Sequence, residues 1–297
     1  LHCVTRRQRQ MCIRDSGAET VCYFRWRQAP FAQEQMHAGL LQPDSKAAPA
    51  LDDVTQVANE LKKFQNVGTT KAQVALIFDY DSAYAWEAQP QGEDFDYFNL
   101  VFDCYRALRR AGWSVDVVPK TVDPTTYKIT FAPGLLTVPT TLKGGLIVAG
   151  PRAGSKTEEL TISTESNPGI PGLKTKITYV ESLPPFAPMT LSGGGAFEKW
   201  REAIETQDRV ILQLEGGEPA AIRAGDIIYL AGWPDPSAWR RLLVKLAQEK
   251  NLPIMDLPKE IRIRDTETHR FWFNYGPNEV TCNNITLPAA GVHWEVL

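Results

Sequence analysis

The 297-residue sequence lacks any apolar run as long as the ~18 to 20 residues that a membrane-spanning helix requires. It also lacks a strong excess of one charge, because 32 lysines and arginines stand against 35 aspartates and glutamates. The first absence argues against a membrane partner, and the mildly acidic balance argues against a nucleic-acid partner. With 43% hydrophobic and 23% charged residues, the composition predicts an ordinary globular protein.

Cysteine and histidine are scarce, with five and four residues respectively. The cysteines form no C-x-x-C pair and the histidines are scattered, so neither residue type has the spacing of a metal site. We therefore predict no cofactor and no structural metal. Cysteines without a pairing pattern are typical of reduced thiols, which predicts a cytoplasmic location.

The first sixteen residues differ in composition from the rest of the chain. They hold four arginines and one acid, and they contain the run RRQRQMCIRDS, Arg6 to Ser16. No apolar segment follows, so a leader peptide is not predicted. Reverse translation of residues 1–16 in one frame resembles a transposase sequencing adapter. We interpret the segment as adapter-derived rather than native, in a metagenomic read, and expect Gly17 to be an arbitrary break in a longer protein.

A short β/α unit is predicted between Gly17 and Gln65. The run ETVCYFRWRQ is apolar, aromatic and β-prone, which predicts a buried strand. In ALDDVTQVANELKKF the apolar residues recur at helical spacing, with acids early and lysines late, which predicts a helix. One strand and one helix cannot form a domain, so we expect them to be the last unit of something larger.

From Gln73 the pattern predicts a separate α/β domain. Apolar runs predict strands in QVALIFD, WSVDVVP, YKITFAP, GLIVAG and DIIYLAG. Amphipathic helices are predicted in DFDYFNLVFDCYRALRRAG and in PSAWRRLLVKLAQEKN, which ends near Asn251. The expected buried face of the first helix consists of Phe98, Val101, Tyr105 and Leu108. Alternating strands and helices predict a mostly parallel sheet that is covered on both faces.

Turn-rich segments separate and follow these elements. The stretch from Pro168 to Pro188 is rich in proline and is predicted to be an irregular excursion. SGGGAF, Ser192 to Phe197, is predicted to be a flexible turn. After Leu257 the short runs EIRIRD, HRFWFNYG, EVTCNNITL and GVHWEVL predict a small all-β module of roughly 40 residues, which is too small to fold well alone and should pack on its neighbours.

Three groups of runs carry a family resemblance: CYFRWRQAPFAQEQMHAGLLQPD; ALIFDYDSAYAWEAQPQGEDFDYFNLVFDCYRALRRAGWSVDVV; and GPRAGSKTEE with YLAGWPD, LPKEIRIRD and FWFNYG. Together they resemble the C-terminal part of a glycoside hydrolase family 42 enzyme, a bacterial β-galactosidase. The resemblance extends from about Gly17 to Leu297, and its middle run is long and specific.

The resemblance implies an α/β fold class in three parts. Residues 17–66 are implied to be the last strand and helix of a (β/α)8 catalytic barrel, a TIM-barrel remnant. Residues 68–253 resemble the flavodoxin-like, amidotransferase-like parallel-sheet trimerisation domain, and residues 254–297 resemble a small C-terminal antiparallel β-sandwich. The family usually has a helix before GLIVAG, so around residues 137–145 we expect either a shortened helix or a deletion, since a parallel crossover needs about ten residues.

The activity implied by the resemblance is that of a β-galactosidase, the retaining hydrolysis of terminal β-D-galactosides. This mechanism uses two carboxylates ~5 to 5.5 Å apart, one as nucleophile and one as acid/base. In the family they end barrel strands four and seven, which precede Gly17, so we expect no catalytic residue in this chain. A homotrimer and a galactoside substrate are implied as partners. The alternative is a non-catalytic trimerisation or scaffold module without hydrolase activity of its own.

The resemblance also implies a remnant of the sugar site. Glu34 and His37 match a Glu-x-x-His motif that holds galactose hydroxyls in the family. A carboxylate can accept from two hydroxyls and an imidazole can donate to a third. Spacing alone favours the alternative, a solvated glutamate and a loop histidine. Trp26 is a weaker candidate for a sugar platform, with barrel packing as its alternative.

Several other motifs are rejected as sites. Asn59-Glu60 and Asn278-Glu279 share the family's Asn-Glu dipeptide, but one lies in a predicted helix and the other in a predicted turn. Cys104 lies in mid-helix without the flanking glycines that an amidotransferase nucleophile requires. GPRAGSKT lacks the leading glycine of a phosphate-binding loop.

Overall fold

The computed structural model describes residues 22–62, 64, 68–163 and 168–297. The interpretation of residues 1–16 as adapter-derived therefore lies outside the described residues. The chain divides into two compact units, residues 72–256 and the combination of residues 1–71 with 257–297. Within the described ranges, no helix is both long and apolar enough to cross a membrane.

The described residues form a mixed α/β fold. The helices are α1 (Ala50–Leu61), α2 (Tyr80–Ala88), α3 (Tyr97–Arg110) and α4 (Pro236–Lys250). The strands are β1 (Val74–Ile77), β2 (Val115–Val118), β3 (Ile129–Ala132), β4 (Leu146–Ala149), β5 (Thr175–Ser182), β6 (Met189–Thr190), β7 (Ala196–Thr206), β8 (Arg209–Gln213), β9 (Pro219–Ala224), β10 (Ile227–Leu230), β11 (Gly232–Pro234), β12 (Ile261–Asp265), β13 (His269–Asn274), β14 (Val280–Cys282), β15 (Ile285–Leu287) and β16 (Val292–Val296).

The unit of residues 72–256 is built on a seven-stranded sheet in the order β2-β1-β3-β4-β10-β9-β8. The first five strands pair in parallel, and β9 and β8 continue the sheet in antiparallel. Strands β1, β3 and β4 are buried along their whole length, as their continuous apolar runs predict. The predicted mostly parallel sheet is thus confirmed.

Both faces of this sheet are covered. On one face, side chains of α3 and α4 pack with Val74, Leu76 and Phe131 of the sheet. On the other face, Ile77, Ala132 and Tyr229 pack with residues of the connecting segments. Successive strand residues point to opposite faces, so a strand buried on both faces needs apolar residues throughout.

The buried face of α3 differs from the predicted one. Val101 and Leu108 are buried as expected, but Phe98 is 62% exposed. Tyr97, Leu100 and Cys104 form the rest of the buried face instead. Helical spacing is compatible with both the predicted and the observed set of buried residues. Which set is buried depends on the sheet that α3 covers.

The connection from β3 to β4 has no helix. Residues 133–145 form turns, and Leu135, Leu136 and Leu142 of this segment are buried. The backbone N–H of Leu136 donates to Ser82 Oγ over 3.1 Å, which ties the segment to α2. These residues exceed the roughly ten that a parallel crossover needs, so β3 and β4 pair in parallel without the helix.

The prediction of an irregular excursion from Pro168 to Pro188 is wrong. This segment contains β5, which pairs with the eleven-residue strand β7 in a four-stranded antiparallel sheet, together with β6 and β11. Gly193, Gly194 and Gly195 all have positive φ and form the turn between β6 and β7. Most side chains of β5 are exposed or half-buried, so its sequence carries little apolar pattern.

The second unit combines α1 with the C-terminal strands. β12, β13 and β16 form an antiparallel sheet, and β14 pairs with β15 in a hairpin whose turn residues Asn283 and Asn284 both have positive φ. Phe64 contacts the rings of Phe271 and Trp294 at 5.3 and 4.9 Å between centroids. The predicted α1 and the predicted C-terminal strands are confirmed.

The predicted buried strand in ETVCYFRWRQ is wrong for the residues that the structure describes, 22–28. Only Arg27 makes a β-bridge, with Leu41, and no regular strand forms. Phe24 and Trp26 are 69% and 65% exposed. Among the described residues, the backbone of this segment pairs with Leu40 and Leu41 alone, and a single short pairing does not bury its rings.

The ion pair between Arg223 of β9 and Glu249 of α4 gives the first testable prediction. Arg223 donates from both Nη atoms to the two carboxylate oxygens, over 2.5 and 2.8 Å. The hydrogen bonds from Arg223 hold the pKa of Glu249 below its ordinary value of 4.5. A lowered folded pKa contributes stability above the ordinary pKa, and this stability is lost as the pH falls through the folded pKa.

Arg223→Gln should therefore lower the free energy of unfolding by about 0.5–1 kcal/mol near neutral pH, the range of a partly exposed pair. The deficit should disappear as the pH falls below the folded pKa of Glu249. Urea unfolding at several pH values measures it, with Lys245→Gln on the exposed side of α4 as the control. A deficit that persists unchanged in acid would contradict the electrostatic origin.

Candidate functional site

Glu34 and His37 lie in one tight turn. The 3₁₀-helix Gln33–Met36 carries Glu34, and the backbone N–H of His37 donates to the Glu34 carbonyl over 3.0 Å. Both side chains are exposed. The sequence spacing of the two predicted sugar-binding residues thus becomes a single compact turn with both polar groups open to solvent.

Phe24 and Arg25, which precede the turn in sequence, contact Glu34 and His37. The Arg25 guanidinium lies 3.5 Å from the Glu34 carboxylate and also donates to the Glu34 carbonyl over 3.2 Å. The ring of Phe24 meets the His37 imidazole edge-on, with 6.1 Å between centroids. Both predicted residues therefore contact the segment 24–25, and Arg25 orients the carboxylate.

The backbone of residues 39–41 lies close against the backbone of residues 25–28. A Cβ atom on Gly39 would lie 2.5 Å from the backbone nitrogen of Gln28, so only glycine fits there. The neighbouring N–H groups of Leu40 and Leu41 donate to the carbonyls of Arg25 and Trp26. The chain thus returns directly alongside the residues that precede the turn.

Three large apolar side chains of the segment 26–36 are exposed. Trp26 is 65% exposed, Phe31 is 70% exposed and Met36 is 87% exposed. An exposed aromatic ring can stack on the apolar face of a sugar ring, and a carboxylate and an imidazole can bind sugar hydroxyls. Both interpretations of Trp26, sugar platform and barrel packing, stay predictions.

The rejected Asn-Glu pairs lie where the sequence places them. Asn59 and Glu60 are inside α1, and Asn278 and Glu279 are in the turn between β13 and β14. Cys104 is completely buried in α3, where burial raises the pKa of its thiol well above the ordinary value. None of these residues ends a parallel strand.

One charged cluster that sequence reasoning missed lies at the carboxyl end of β1. Lys120 contacts Asp79 and Asp81 over 3.2 and 2.9 Å. Burial opposes the charge of Lys120, but the hydrogen bonds to the two carboxylates raise its pKa overall. Asp79 also caps α2 by accepting from the backbone and hydroxyl of Ser82. This cluster stabilises the strand-to-helix turn, and its carboxylates are already paired with a cation.

A second missed cluster surrounds Glu202 of β7. Its carboxylate accepts from the backbone N–H of Arg152 over 2.9 Å, from Tyr229 Oη over 2.6 Å and from Trp200 Nε1 over 3.4 Å. Burial raises the pKa of Glu202, while these three donors act in the opposite direction. Burial and the neighbouring Glu202 charge raise the pKa of Tyr229 well above its ordinary value. Residues 152, 202 and 229 are too far apart in sequence for a local pattern to link them.

No group of three or more side chains suited to a metal ion occurs in the part of the chain that the structure describes. At the turn of Glu34 and His37, the side chains offer hydrogen bonding and aromatic stacking.

Comparison with known sequences matches two segments of the chain to protein families. Residues 72–253 match the family described as the beta-galactosidase trimerisation domain, and residues 7–64 match the family described as beta-galactosidase. The second match begins at residue 7, inside the segment that we interpret as adapter-derived, so that interpretation stays a prediction.

Individual relatives agree with these families. The chain is 43% identical over 275 residues to a beta-galactosidase of Thermus thermophilus, which covers 89% of this chain and 43% of the relative. It is 30% identical over 283 residues to the beta-galactosidase Bga of Halorubrum lacusprofundi, covering 83% of this chain and 40% of the relative. The chain thus spans less than half the length of these curated relatives.

Solved structures show the same similarity. The beta-galactosidase from the psychrophilic Marinomonas ef1 superposes with a TM-score of 0.89 at 33% identity, over 97% of this chain and 48% of that chain. The beta-galactosidase from Halorubrum lacusprofundi also has a TM-score of 0.89, at 28% identity, over 97% and 49% of the two chains.

Proposed function

Since this chain belongs to the glycoside hydrolase family 42 β-galactosidases, we propose that it serves the retaining hydrolysis of terminal β-D-galactosides. The observation that carries this proposal is the turn in which Glu34 and His37 present their side chains together to solvent. In this role the Glu34 carboxylate accepts hydrogen bonds from sugar hydroxyls and the His37 imidazole donates one. Trp26 supplies a stacking surface beside them.

The catalytic pair is assigned to the part of the relatives' length that this chain does not span. A retaining glycosidase needs two carboxylates ~5 to 5.5 Å apart at the cleaved bond. Asp79 and Asp81 follow β1 at the carboxyl end of the strand, and both carboxylates are paired with Lys120. The chain then contributes sugar-holding residues and no catalytic acid.

The same assignment extends to the domains. Residues 17–66 are proposed to correspond to the last strand and helix of a (β/α)8 barrel, with residues 22–28 in the place of the strand although they form only one β-bridge in this chain. Residues 68–253 are proposed to be a flavodoxin-like trimerisation domain. Residues 254–297 are proposed to form the β-sandwich domain. The cytoplasmic location also stays a prediction.

Assay of the chain with a chromogenic β-galactoside tests the division of roles. We expect no turnover above the uncatalysed rate from the chain by itself. A folded preparation that hydrolyses the substrate would show that the catalytic carboxylates are among its own residues and would overturn this part of the proposal.

A chimera tests the sugar site. The part of the Thermus thermophilus β-galactosidase that this chain does not match can be joined to residues 17–297, and the fold of the chimera checked by circular dichroism. Glu34→Gln should lower kcat/KM of the chimera about ten- to hundredfold, because hydrogen bonds to a charged group contribute about 1.5–3 kcal/mol. Glu279→Gln, an exposed glutamate in the β13–β14 turn, is the matched control and should change little. A folded chimera whose kcat/KM is unaffected by Glu34→Gln would refute the role of Glu34.

The second candidate function is oligomerisation without catalysis. The unit of residues 72–256 has its own seven-stranded sheet and core, and its sequence matches a domain described by trimerisation. A homotrimer is therefore proposed for this chain. Sedimentation velocity tests it directly, and a monomer over the whole accessible concentration range would count against an autonomous trimerisation module.

A further inference from the structure

The loop of residues 150–156 follows β4 at the carboxyl edge of the parallel sheet, where open α/β sheets place their ligands. Arg152 has a φ of 61°, in the left-handed region that a residue with a side chain rarely adopts. A Cβ atom on Gly150 would lie 2.2 Å from the Leu230 carbonyl oxygen, so the loop is pressed against the neighbouring strand. Non-glycine residues in this conformation persist where the surrounding structure enforces them, and they concentrate at functional sites.

The backbone N–H of Arg152 donates a hydrogen bond to the buried carboxylate of Glu202. Glu202 is 2% exposed and Tyr229 is completely buried, and both are hydrogen-bonded to one another. All three donors on Glu202 are fixed by β-strands or by the loop itself. A buried carboxylate is costly unless it is fully hydrogen-bonded, so this arrangement fixes the loop rather than leaving it adaptable.

The guanidinium of Arg152, in contrast, makes no hydrogen bond or salt bridge among the described residues, although the charge of the buried Glu202 acts on it. It is partly exposed, and its Cζ lies 5.8 Å and 5.5 Å from the ring centroids of Trp86 and Trp200. Burial lowers the pKa of this guanidinium from its ordinary value. A partly desolvated cation gains more from an anionic partner than a fully solvated one does.

The backbone N–H groups of residues 154–156 are not free to bind a ligand. The N–H groups of Gly154, Ser155 and Lys156 donate to the carbonyls of Leu135, Arg152 and Leu136. A phosphate-binding loop offers such N–H groups to its ligand, and here they are used within the fold. Recognition is left to the Arg152 side chain, while Ser155 Oγ in the same loop is buried without a hydrogen-bond partner in the described structure.

We propose that Arg152 forms a binding site for a carboxylate, independent of the proposed galactoside site. The planar guanidinium fork matches the two oxygens of a carboxylate. The Glu202 charge offsets part of the positive charge of the guanidinium, which suits a ligand with a single negative charge better than a phosphate dianion. The carboxylate comes either from a free small molecule or from an acidic side chain of a second copy of this chain.

Chemical labelling of arginine with phenylglyoxal, followed by peptide mass spectrometry, tests the site in the full chain. The probes are acetate and inorganic phosphate, with chloride at matched ionic strength as the reference. At an acetate concentration of about ten times the dissociation constant, roughly one tenth of the sites are free, so Arg152 should be labelled about tenfold more slowly. Arg106, an exposed arginine paired with Asp103, is the internal control and should keep its rate.

The labelling rate of Arg152 at different protein concentrations shows where the carboxylate comes from. If a second copy supplies it, Arg152 should be labelled faster in dilute protein without acetate, and slowly in concentrated protein. A rate that responds to neither acetate nor dilution would overturn the site, and equal protection by phosphate would overturn the assignment to a singly charged ligand. Arg152→Lys should also abolish any rise in Tm caused by acetate, whereas Arg106→Lys should retain it. These outcomes do not depend on hydrolysis or on Glu34, so they are independent of the proposed activity.

Discussion

Trp200→Ala is expected to lower the free energy of unfolding of this protein by about 4 kcal/mol, in the upper range for large-to-small core substitutions. Trp200 is 2% exposed, and its ring stacks on Phe95 with 4.4 Å between centroids. Its Nε1 donates to the buried Glu202. Removing the ring leaves a cavity in the main core and takes a donor away from a buried carboxylate, and both effects act in the same direction.

Urea denaturation followed by circular dichroism measures the effect as a lower midpoint with an unchanged slope. Trp200→Phe keeps the stacking on Phe95 and loses the donor, so it should be destabilised by less. Trp26→Ala removes the same side chain from an exposed position and should have little effect. A loss of less than about 1 kcal/mol for Trp200→Ala would mean that the surrounding core collapses into the space.

Asn274→Asp is expected to destabilise the unit that holds the C-terminal strands by about 3 kcal/mol or more near neutral pH. Asn274 is completely buried at the end of β13. Its Nδ2 donates to the carbonyls of Asn278 and Pro288 over 2.7 and 2.9 Å, and its Oδ1 accepts from Gly276 N over 2.9 Å. A carboxylate would direct an oxygen at these carbonyls, which is both a buried charge and a loss of donors.

A protonated carboxyl group can donate one hydrogen bond, so the deficit of Asn274→Asp should shrink as the pH falls. Thermal unfolding at neutral and acidic pH measures this, with Asn278→Asp as the matched control because its side chain is exposed. A deficit that is the same at both pH values would show that packing rather than hydrogen bonding decides the cost.

Elements with a strong local pattern were predictable. β1, β3 and β4 are short continuous apolar runs, and each is buried on both faces as such a run indicates. α4 begins after the capping Asp235 and ends at Asn251 in the left-handed conformation, close to where the sequence places its end.

Strands whose burial depends on contacts with distant parts of the chain were not predictable. β7 buries Phe197, Trp200 and Ile204, and the alternation breaks between Phe197 and Trp200, where the pairing of β7 with β11 shifts register and Lys199 has a positive φ. β5 lies at the edge of its sheet, and its side chains are mostly exposed or half-buried. Its sequence therefore contains no apolar run that would predict a strand. Local periodicity does not record which face of such a strand a second sheet will cover.

The candidate site divides in the same way. Glu34 and His37 are three residues apart, so the sequence itself brings them into one turn, and the family resemblance gives them a role. The sequence does not show that Arg25 reaches Glu34 or that Phe24 meets His37, since those contacts depend on the return of the chain at Gly39.

By itself, then, the sequence determined the family, the parallel strands and helices with strong local patterns, and the proximity of Glu34 and His37 in one turn. Tertiary structure alone decided that Phe98 is exposed, that the segment from Pro168 to Pro188 contains a strand, and that Arg152, Glu202 and Tyr229 meet. The physical reason is the range of the interactions. Helical spacing, capping and strand burial act between near neighbours, whereas a buried hydrogen-bond cluster exists only once strands from distant parts of the chain are packed together.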